Sequence, residues 1–428
     1  MKYLKYIISC LINIWICLYP SNNYDLAILG VYFLVLSISS YIIFFDERKI
    51  SLNIVFYLFI YFFFGIAPVI QYKEAVFFFG DKTPLINIDF MFGGCVTLFV
   101  IGIYTLSYRL INNKITINLK LKDVDYKYKT NNLPLVLTML TVLIVFLHHK
   151  NFMSLFFRYS GAENVQFIDY FMSTIEVSIS LLPLLFLAFF KQKGGLTLKS
   201  EIILLICIIL FNFPTAVSRY ELGLVYFTLG LIYFKYVKIF FKEIFILGLL
   251  FVFPFVNRFR HKNDEAINGS STYSQFKNLH FDSFQNTIGI MKEEIITCGD
   301  QLIASLFFFI PRVTWEGKPK SSASLLCDEI NYEGFCNIAV SFFGEGYINF
   351  GFIGVVLFII ILAFYNSLLD KCYYNNDFNY KHFYFLFIFH EFYLLRGSLT
   401  AASIKFSIIV LALILFLIIN KHILRLRI

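Results

Sequence analysis

The sequence predicts an all-α fold: a polytopic integral membrane protein of about 12 transmembrane helices, with one long outer loop containing short interfacial helices. Composition is the first reason. Of 428 residues, 59% are hydrophobic and only 15% charged, with a mean hydropathy of +0.73, whereas soluble domains carry roughly a quarter charged residues. The second reason is spacing, because apolar runs recur at the length of about 20 residues that spans a bilayer as a helix. The third is where the charges fall. The lysines behind the net charge of +8 cluster in short connections between the runs, a pattern of membrane topology and not of nucleic-acid binding.

Taken in order, the runs lie near 4–20, 24–45, 50–70, 88–110, 132–149, 170–190, 200–217, 219–237, 241–257, 341–365, 382–396 and 399–420. The first lacks a small-x-small cleavage site and is expected to stay as a membrane anchor. The runs divide the chain into membrane helices 1–9 (residues 1–257), a long loop (258–340) and membrane helices 10–12 (341–428). With the N-terminus in the cytoplasm, 21 of the 36 basic residues lie on the inner side, including the stretch Lys114 to Lys129, and 7 lie in short outer connections. Lysine and arginine favour the cytoplasmic side, so both termini are expected inside and the long loop outside. Within that loop the apolar run Leu302 to Ile310 is too short to span and reads as an interfacial or re-entrant helix.

The last part of the loop and the start of the tenth helix carry the most distinctive pattern. Residues 307–354 read FFFIPRVTWEGKPKSSASLLCDEINYEGFCNIAVSFFGEGYINFGFIG. Pro311 and Pro319 stiffen the first piece, and Gly344, Gly346, Gly351 and Gly354 let backbones approach closely in the last. The combination of IPR-x-x-W-x-x-KP with GE-x-Y-x-NFG-x-x-G resembles the bacterial O-antigen polymerases, the Wzy-type oligosaccharide repeat-unit polymerases. The resemblance covers these two stretches only. It implies a glycosyltransferase of the bacterial inner (cytoplasmic) membrane that joins undecaprenyl-pyrophosphate-linked oligosaccharide repeats into O-antigen or a related surface polysaccharide at the periplasmic face. It also implies that a polysaccharide chain-length regulator acts nearby. On this reading Glu345 and Arg312 are the catalytic candidates, and Trp315, Lys318, Tyr347 and Asn349 the neighbouring substrate-binding ones.

Arginine is distributed unevenly. Inside, lysine outnumbers arginine 17 to 4, whereas six of the fifteen outer basic residues are arginine: Arg158, Arg219, Arg258, Arg260, Arg312 and Arg396. Snorkelling at helix ends accounts for any one of them but gives no reason to prefer arginine on one side. The planar guanidinium binds phosphate bidentately and stays charged when partly desolvated, which suits a lipid pyrophosphate in the outer leaflet. Arg219 follows the hairpin Phe211 to Ser218, which has almost no polar loop. Its charge therefore needs a partner inside the membrane boundary, and Glu221 is too close along the helix to face it.

Glu345 falls early in the tenth helix with Asn349 one turn below on the same face; it is either the base for an acceptor hydroxyl or an ion-pair partner of an outer arginine. Glu391 and Lys405 lie seven residues to either side of Ser398, which predicts a structural pair between antiparallel neighbours, while His390 is available as a catalytic histidine. His148 and His149 are read as interfacial, with a general base as the alternative. Trp315 is read equally as a sugar-stacking ring or an interfacial anchor. The loop histidines and carboxylates show no metal-ligand spacing, so a metal-independent site without a cofactor is expected. Of three outer-loop cysteines, Cys327 and Cys336 are expected to pair and Cys298 to stay free.

Three other functions fit parts of this pattern. An O-antigen ligase needs similar chemistry, a lipid-linked oligosaccharide flippase suits twelve helices equally well, and a membrane O-acyltransferase needs His390. The topology has its own test. In a cysteine-free background, single cysteines at Asn118, Leu196 and Asn376 are expected to resist an impermeant thiol reagent in intact spheroplasts, and one at Ser270 to react. Labelling at position 118 overturns the orientation.

Overall fold

The computed structural model describes residues 2–21, 23–78, 84–114, 167–193, 196–252, 276–277, 279–329, 338–375 and 381–422. All regular elements among these residues are helical. Ahead of the long loop come α1 (Lys2–Leu18), α2 (Leu26–Phe45), α3 (Leu52–Lys73), α4 (Asn87–Lys114), α5 (Phe167–Ser180), α6 (Leu182–Lys193), α7 (Leu198–Phe211), α8 (Arg219–Tyr233), α9 (Lys235–Ile239) and α10 (Phe241–Leu247). The loop holds α11 (Ser283–Lys292), α12 (Asp300–Leu306) and α13 (Ser322–Glu329), and α14 (Phe342–Tyr374), α15 (Tyr384–Arg396) and α16 (Leu399–His422) follow. Six stretches are long and apolar enough to cross a membrane: α2, α3, α4, Thr174–Lys193 across α5 and α6, α14, and Leu399–Asn420 within α16. The chain is thus a helical membrane protein. Shorter helices stand at most of the other expected places, with the eighth and ninth broken into the pieces α8 to α10. The run 132–149 lies outside the described residues.

α3 is the centre of the bundle. Every residue from Leu52 to Lys73 is buried, as expected of a helix apolar on all sides. It widens into π-helical turns over Ile60–Ile66, where Gly65 leaves room for Leu36 of α2; a Cβ there would stand 2.6 Å from the leucine side chain.

At one end of the bundle, hereafter the Arg48 end, Asp370 of α14 accepts the Leu52 N–H at 2.8 Å and the Tyr108 hydroxyl at 2.6 Å, and bonds the hydroxyl of Tyr384. Arg48 bridges Asp370 at 3.4 Å and Asp46 at 2.8 Å. At the opposite, loop end, the buried Lys73 ammonium donates to the Ile16 and Cys17 carbonyls at 2.9 and 2.8 Å and to Tyr19 at 2.5 Å. These carbonyls close α1 and have no partner within their own helix.

The long loop does not simply lie over the bundle. Gln71 near the end of α3 holds it by donating to the Phe276 and Phe281 carbonyls at 3.2 and 2.9 Å, and accepts from Gln285 at 3.0 Å. Phe281 then packs on Phe63 at 4.8 Å and Phe284 on Phe64 at 5.8 Å, midway along α3. Gly93 of α4 makes the space for Phe284: a Cβ there would lie 2.6 Å from its ring. The apolar run Leu302 to Ile310 forms α12 and a turn, with Ile303, Leu306, Phe307 and Phe309 exposed.

The tenth helix departs from expectation. It is not a single rod starting at residue 341, because Phe350 (φ −146°, ψ 24°) and Gly351 (φ 61°, ψ −148°) leave helical geometry. The ring of Phe342 lies 5.2 Å from that of Phe358, and a Cβ on Gly346 would stand 2.6 Å from the Gly354 carbonyl oxygen. In a continuous helix, residues 16 apart would be about 24 Å apart along the axis. The short arm 342–349 therefore folds back antiparallel on the long arm 352–374. Gly351 supplies the left-handed turn, and Gly346 with Gly354 the backbone crossing. A Cβ at Gly354 overlaps the Gly346 carbonyl, so Gly354→Ala is expected to reduce folded protein in membranes several-fold, following an overpacking penalty of about 1–3 kcal/mol. Gly102→Ala, where a Cβ meets nothing within 4 Å, serves as the neutral control. Equal abundance of the two overturns the hairpin.

Candidate functional site

The residues expected at the site separate into three places. Glu345 sits on the short arm of the α14 hairpin and is fully buried, at 0% exposure. Its Oε2 accepts the Ser322 hydroxyl at 2.5 Å and its Oε1 the Leu399 N–H at 2.9 Å. Leu399 opens α16, so the carboxylate satisfies an N–H that the helix cannot and lies at the positive end of the helix dipole. No arginine among the described residues pairs with it. Asn349 is equally buried: its amide donates to the Glu345 carbonyl at 2.8 Å and accepts the Leu302 N–H at 2.8 Å. Tyr347 lies with its ring 5.3 Å from that of Phe352. Glu345, Asn349 and Tyr347 fasten the hairpin.

Arg312, Trp315 and Lys318 form a second place, a compact surface loop. The Arg312 guanidinium donates to the Lys318 carbonyl at 2.6 Å and the Pro319 carbonyl at 3.1 Å. The Lys318 ammonium in turn donates to the Phe308 and Ile310 carbonyls, both at 2.8 Å. The IPR-x-x-W-x-x-KP spacing thus closes a loop on itself, with Arg312 exposed. No hydrogen bond or ion pair joins Arg312 to Glu345, although both belong to the motif pair.

The third place gathers charge inside the loop end of the bundle. The first turn of α8 and the last turn of α15 lie side by side, with the rings of Tyr220 and Tyr393 4.7 Å apart. Arg219 opens α8 and Arg396 closes α15. The Arg396 guanidinium lies over the Phe63 ring, 5.7 Å from its centroid, well below the surface at which an outer snorkelling residue was expected. Lys405 of α16 lies over the Tyr220 ring at 5.4 Å and pairs with Glu221 at 2.8 Å. Glu221 also completes a capping box with Ser218, so, as expected, it turns away from Arg219.

Within electrostatic reach of Arg396, but not ion-paired with it, is Asp282, a residue the sequence reading did not single out. It is 1% exposed. Its Oδ2 accepts the Asn286 amide at 2.9 Å and the Ala339 N–H at 3.1 Å, while Oδ1 has no hydrogen-bond partner among the described residues. Burial pushes its carboxyl up to about 6, against the opposing pull of the Arg396 guanidinium and the two hydrogen bonds. Ser283 Oγ and Asn286 Oδ1 beside it are likewise buried without partners among the described residues. The available signal is the run DSFQNT, Asp282 to Thr287, in which every polar side chain is buried.

The expected Glu391–Lys405 pair does not form. Glu391 Oε1 accepts the Asn366 amide of α14 at 2.8 Å, while Lys405 reaches α8. Equal distance from the turn sets equal height on two antiparallel helices but does not set which face each residue occupies. His390 is buried and its Nδ1 is 3.0 Å from the Tyr220 hydroxyl. Cys327 is disulfide-bonded and Cys298 is a free thiol; Cys336 lies outside the described residues, as do Arg158, Arg258, Arg260, His148 and His149. Among the described residues, no cluster of three His, Cys, Asp or Glu side chains is placed to hold a metal ion.

The capping geometry makes Glu345 testable without any substrate. Glu345→Gln replaces one accepting oxygen by an N–H group facing donors. It is expected to lose about 1–3 kcal/mol of stability, read as a lower midpoint of thermal unfolding for the detergent-purified protein. An unchanged midpoint overturns the structural assignment.

No protein family, curated protein or solved structure matches the chain.

Proposed function

We propose that the protein extends a lipid-linked glycan at the loop end of the bundle, as a Wzy-type repeat-unit polymerase. The observation that carries the reading is Asp282, a buried carboxylate with one oxygen unengaged among the described residues, beside the Arg396 guanidinium. Arg219 stands on the neighbouring helix turn. In this reading the acceptor sugar hydroxyl gives its proton to Asp282 as its oxygen bonds the anomeric carbon of the growing chain. The bond from that carbon to the pyrophosphate breaks, and undecaprenyl pyrophosphate leaves with the bonding electron pair. Arg396 and Arg219 neutralise the departing charge. A carboxylate held by one oxygen and open at the other is suited to accept a proton as a general base, and a water-poor site strengthens the arginine contacts.

Glu345 is reassigned in this proposal from base to framework, and Arg312 to the exposed rim that substrate meets first. The twelve-span topology, cytoplasmic termini, inner-membrane location and a chain-length regulator as partner belong to the same proposal, resting on the charge asymmetry and the motif resemblance. A flippase is the second reading. It is favoured by Glu391, a buried carboxylate at mid-bundle whose Oε2 has no partner among the described residues, since intramembrane carboxylates often mark transport paths.

The test is polymer length in a deletion strain, with membrane protein level and binding of a labelled lipid-linked donor measured alongside. Asp282→Asn is expected to stop chain growth by roughly two decades or more in rate while donor binding and abundance persist. Arg396→Ala is expected to weaken donor binding by about 10–100-fold, the loss of a charge-assisted contact. Long chains made by Asp282→Asn at normal abundance overturn the base assignment. Loss of even single-repeat material on deletion of the gene favours the flippase or a ligase.

A further inference from the structure

The Arg48 end of the bundle holds a feature that glycan extension at the opposite end does not use. A cleft of about 290 Å³ opens between α2, α3 and α4, lined by polar groups of α3 and α4 and by Tyr41, Ile42 and Phe45 of α2. Its charges are not equivalent. Arg48 is neutralised by Asp46 and Asp370. Asp46, the single carboxylate of the lining, has both oxygens engaged, by Arg48 and by the Asn53 amide at 3.0 Å. Arg109 is different. It is exposed and makes no hydrogen bond or ion pair with any described residue. Asn112 and Asn113 are also without hydrogen-bonding partners there, and the three lie three and four positions apart on one face of α4.

The cleft therefore presents one unneutralised guanidinium and two idle amides, with its carboxylate already bound. That combination selects an anion with several acceptor oxygens, since the guanidinium fork matches phosphate bidentately. The surroundings identify which source of phosphate fits. Tyr41 and Phe45 stack at 4.7 Å on one wall. From the cleft toward the middle of the bundle, α2 exposes Ile38 and Leu34 and α4 exposes Leu106 and Phe99. A headgroup in the polar part would leave its acyl chains along these apolar side chains. In the topology proposed above, on which this step rests, this end lies at the cytoplasmic leaflet, where basic pockets between helices hold anionic lipid headgroups.

We propose that this cleft binds the phosphodiester headgroup of an anionic glycerophospholipid, with Arg109 as the charged contact and Asn112 and Asn113 as neutral donors. The full-length protein is purified in detergent with phosphatidylglycerol or phosphatidylcholine, and retained lipid is measured by native mass spectrometry alongside thermal stability. Phosphatidylglycerol is expected to be retained about tenfold more than phosphatidylcholine, with roughly tenfold less retained on Arg109→Gln, as for the loss of one charge-assisted contact. Arg109→Lys is expected to keep part of the binding. Because Arg109 is exposed and unpaired, the lipid-free thermal midpoint of Arg109→Gln should equal that of the wild type. Equal retention of the two lipids, or undiminished phosphatidylglycerol on Arg109→Gln, overturns the proposal. Displacement of the lipid by millimolar inorganic phosphate shows a free-phosphate site and overturns the lipid assignment.

Discussion

The constraint behind much of this structure is the helix end that finishes among other helices. In an apolar surrounding each unsatisfied backbone N–H or carbonyl costs several kcal/mol, and short side chains such as Ser51 satisfy only part of a terminus. This chain closes three ends with buried ionisable groups from distant segments. Lys73 takes the last carbonyls of α1, Asp370 the first N–H of α3, and Glu345 the first N–H of α16. In each case the sign agrees with the helix dipole. A charge and a helix end that would each be costly when buried alone stabilise one another, and together they fix how the helices are stacked.

Two of the three capping groups belong to α14, which makes that element the keystone. Its long arm carries Asp370 to the Arg48 end, and its short arm turns back to bring Glu345 under α16. The turn works only because backbones can touch where Gly346 crosses Gly354 and because Gly351 occupies the left-handed region. Backbone and side-chain groups from elsewhere then lock the fold-back. The Thr297 N–H donates to the Ile348 carbonyl at 2.7 Å, and Thr287 bonds Ser341 at 2.8 Å. α11 is drawn in by the same contacts, and Asp282 enters the bundle ahead of it.

This explains what was legible in the sequence and what was not. Membrane class and most helix positions were legible, because apolar length is a local property. The glycines of 344–354 were correctly read as points of close approach, but Gly346 and Gly354 approach each other, eight residues apart in the same segment. A hydropathy reading cannot distinguish a rod from a hairpin of equal composition. Arg396 was placed at the outer surface because it ends a helix, yet α15 ends beside Phe63, midway along α3. The faces of Glu391 and Lys405 depended on which third helix each one meets, a property of packing that spacing around Ser398 does not carry. Asp282 was hidden for the opposite reason: loops are expected to be polar, so a polar run that folds inward gives no compositional warning.

The arrangement also accounts for why chemistry would concentrate at the loop end. A site among spanning helices needs charge that is held in place yet not neutralised. Glu345 fails this requirement, since both its oxygens accept bonds from the framework. Asp282 meets it: one oxygen is anchored to Ala339 and Asn286, which fixes the carboxylate, and the other is left without a partner among the described residues. Anchoring through the Ala339 N–H ties the carboxylate to the segment that immediately precedes the α14 hairpin. The glycine-rich motif therefore bears on the proposed chemistry through position, by carrying residue 339 to the depth at which it meets Asp282 beside Arg396.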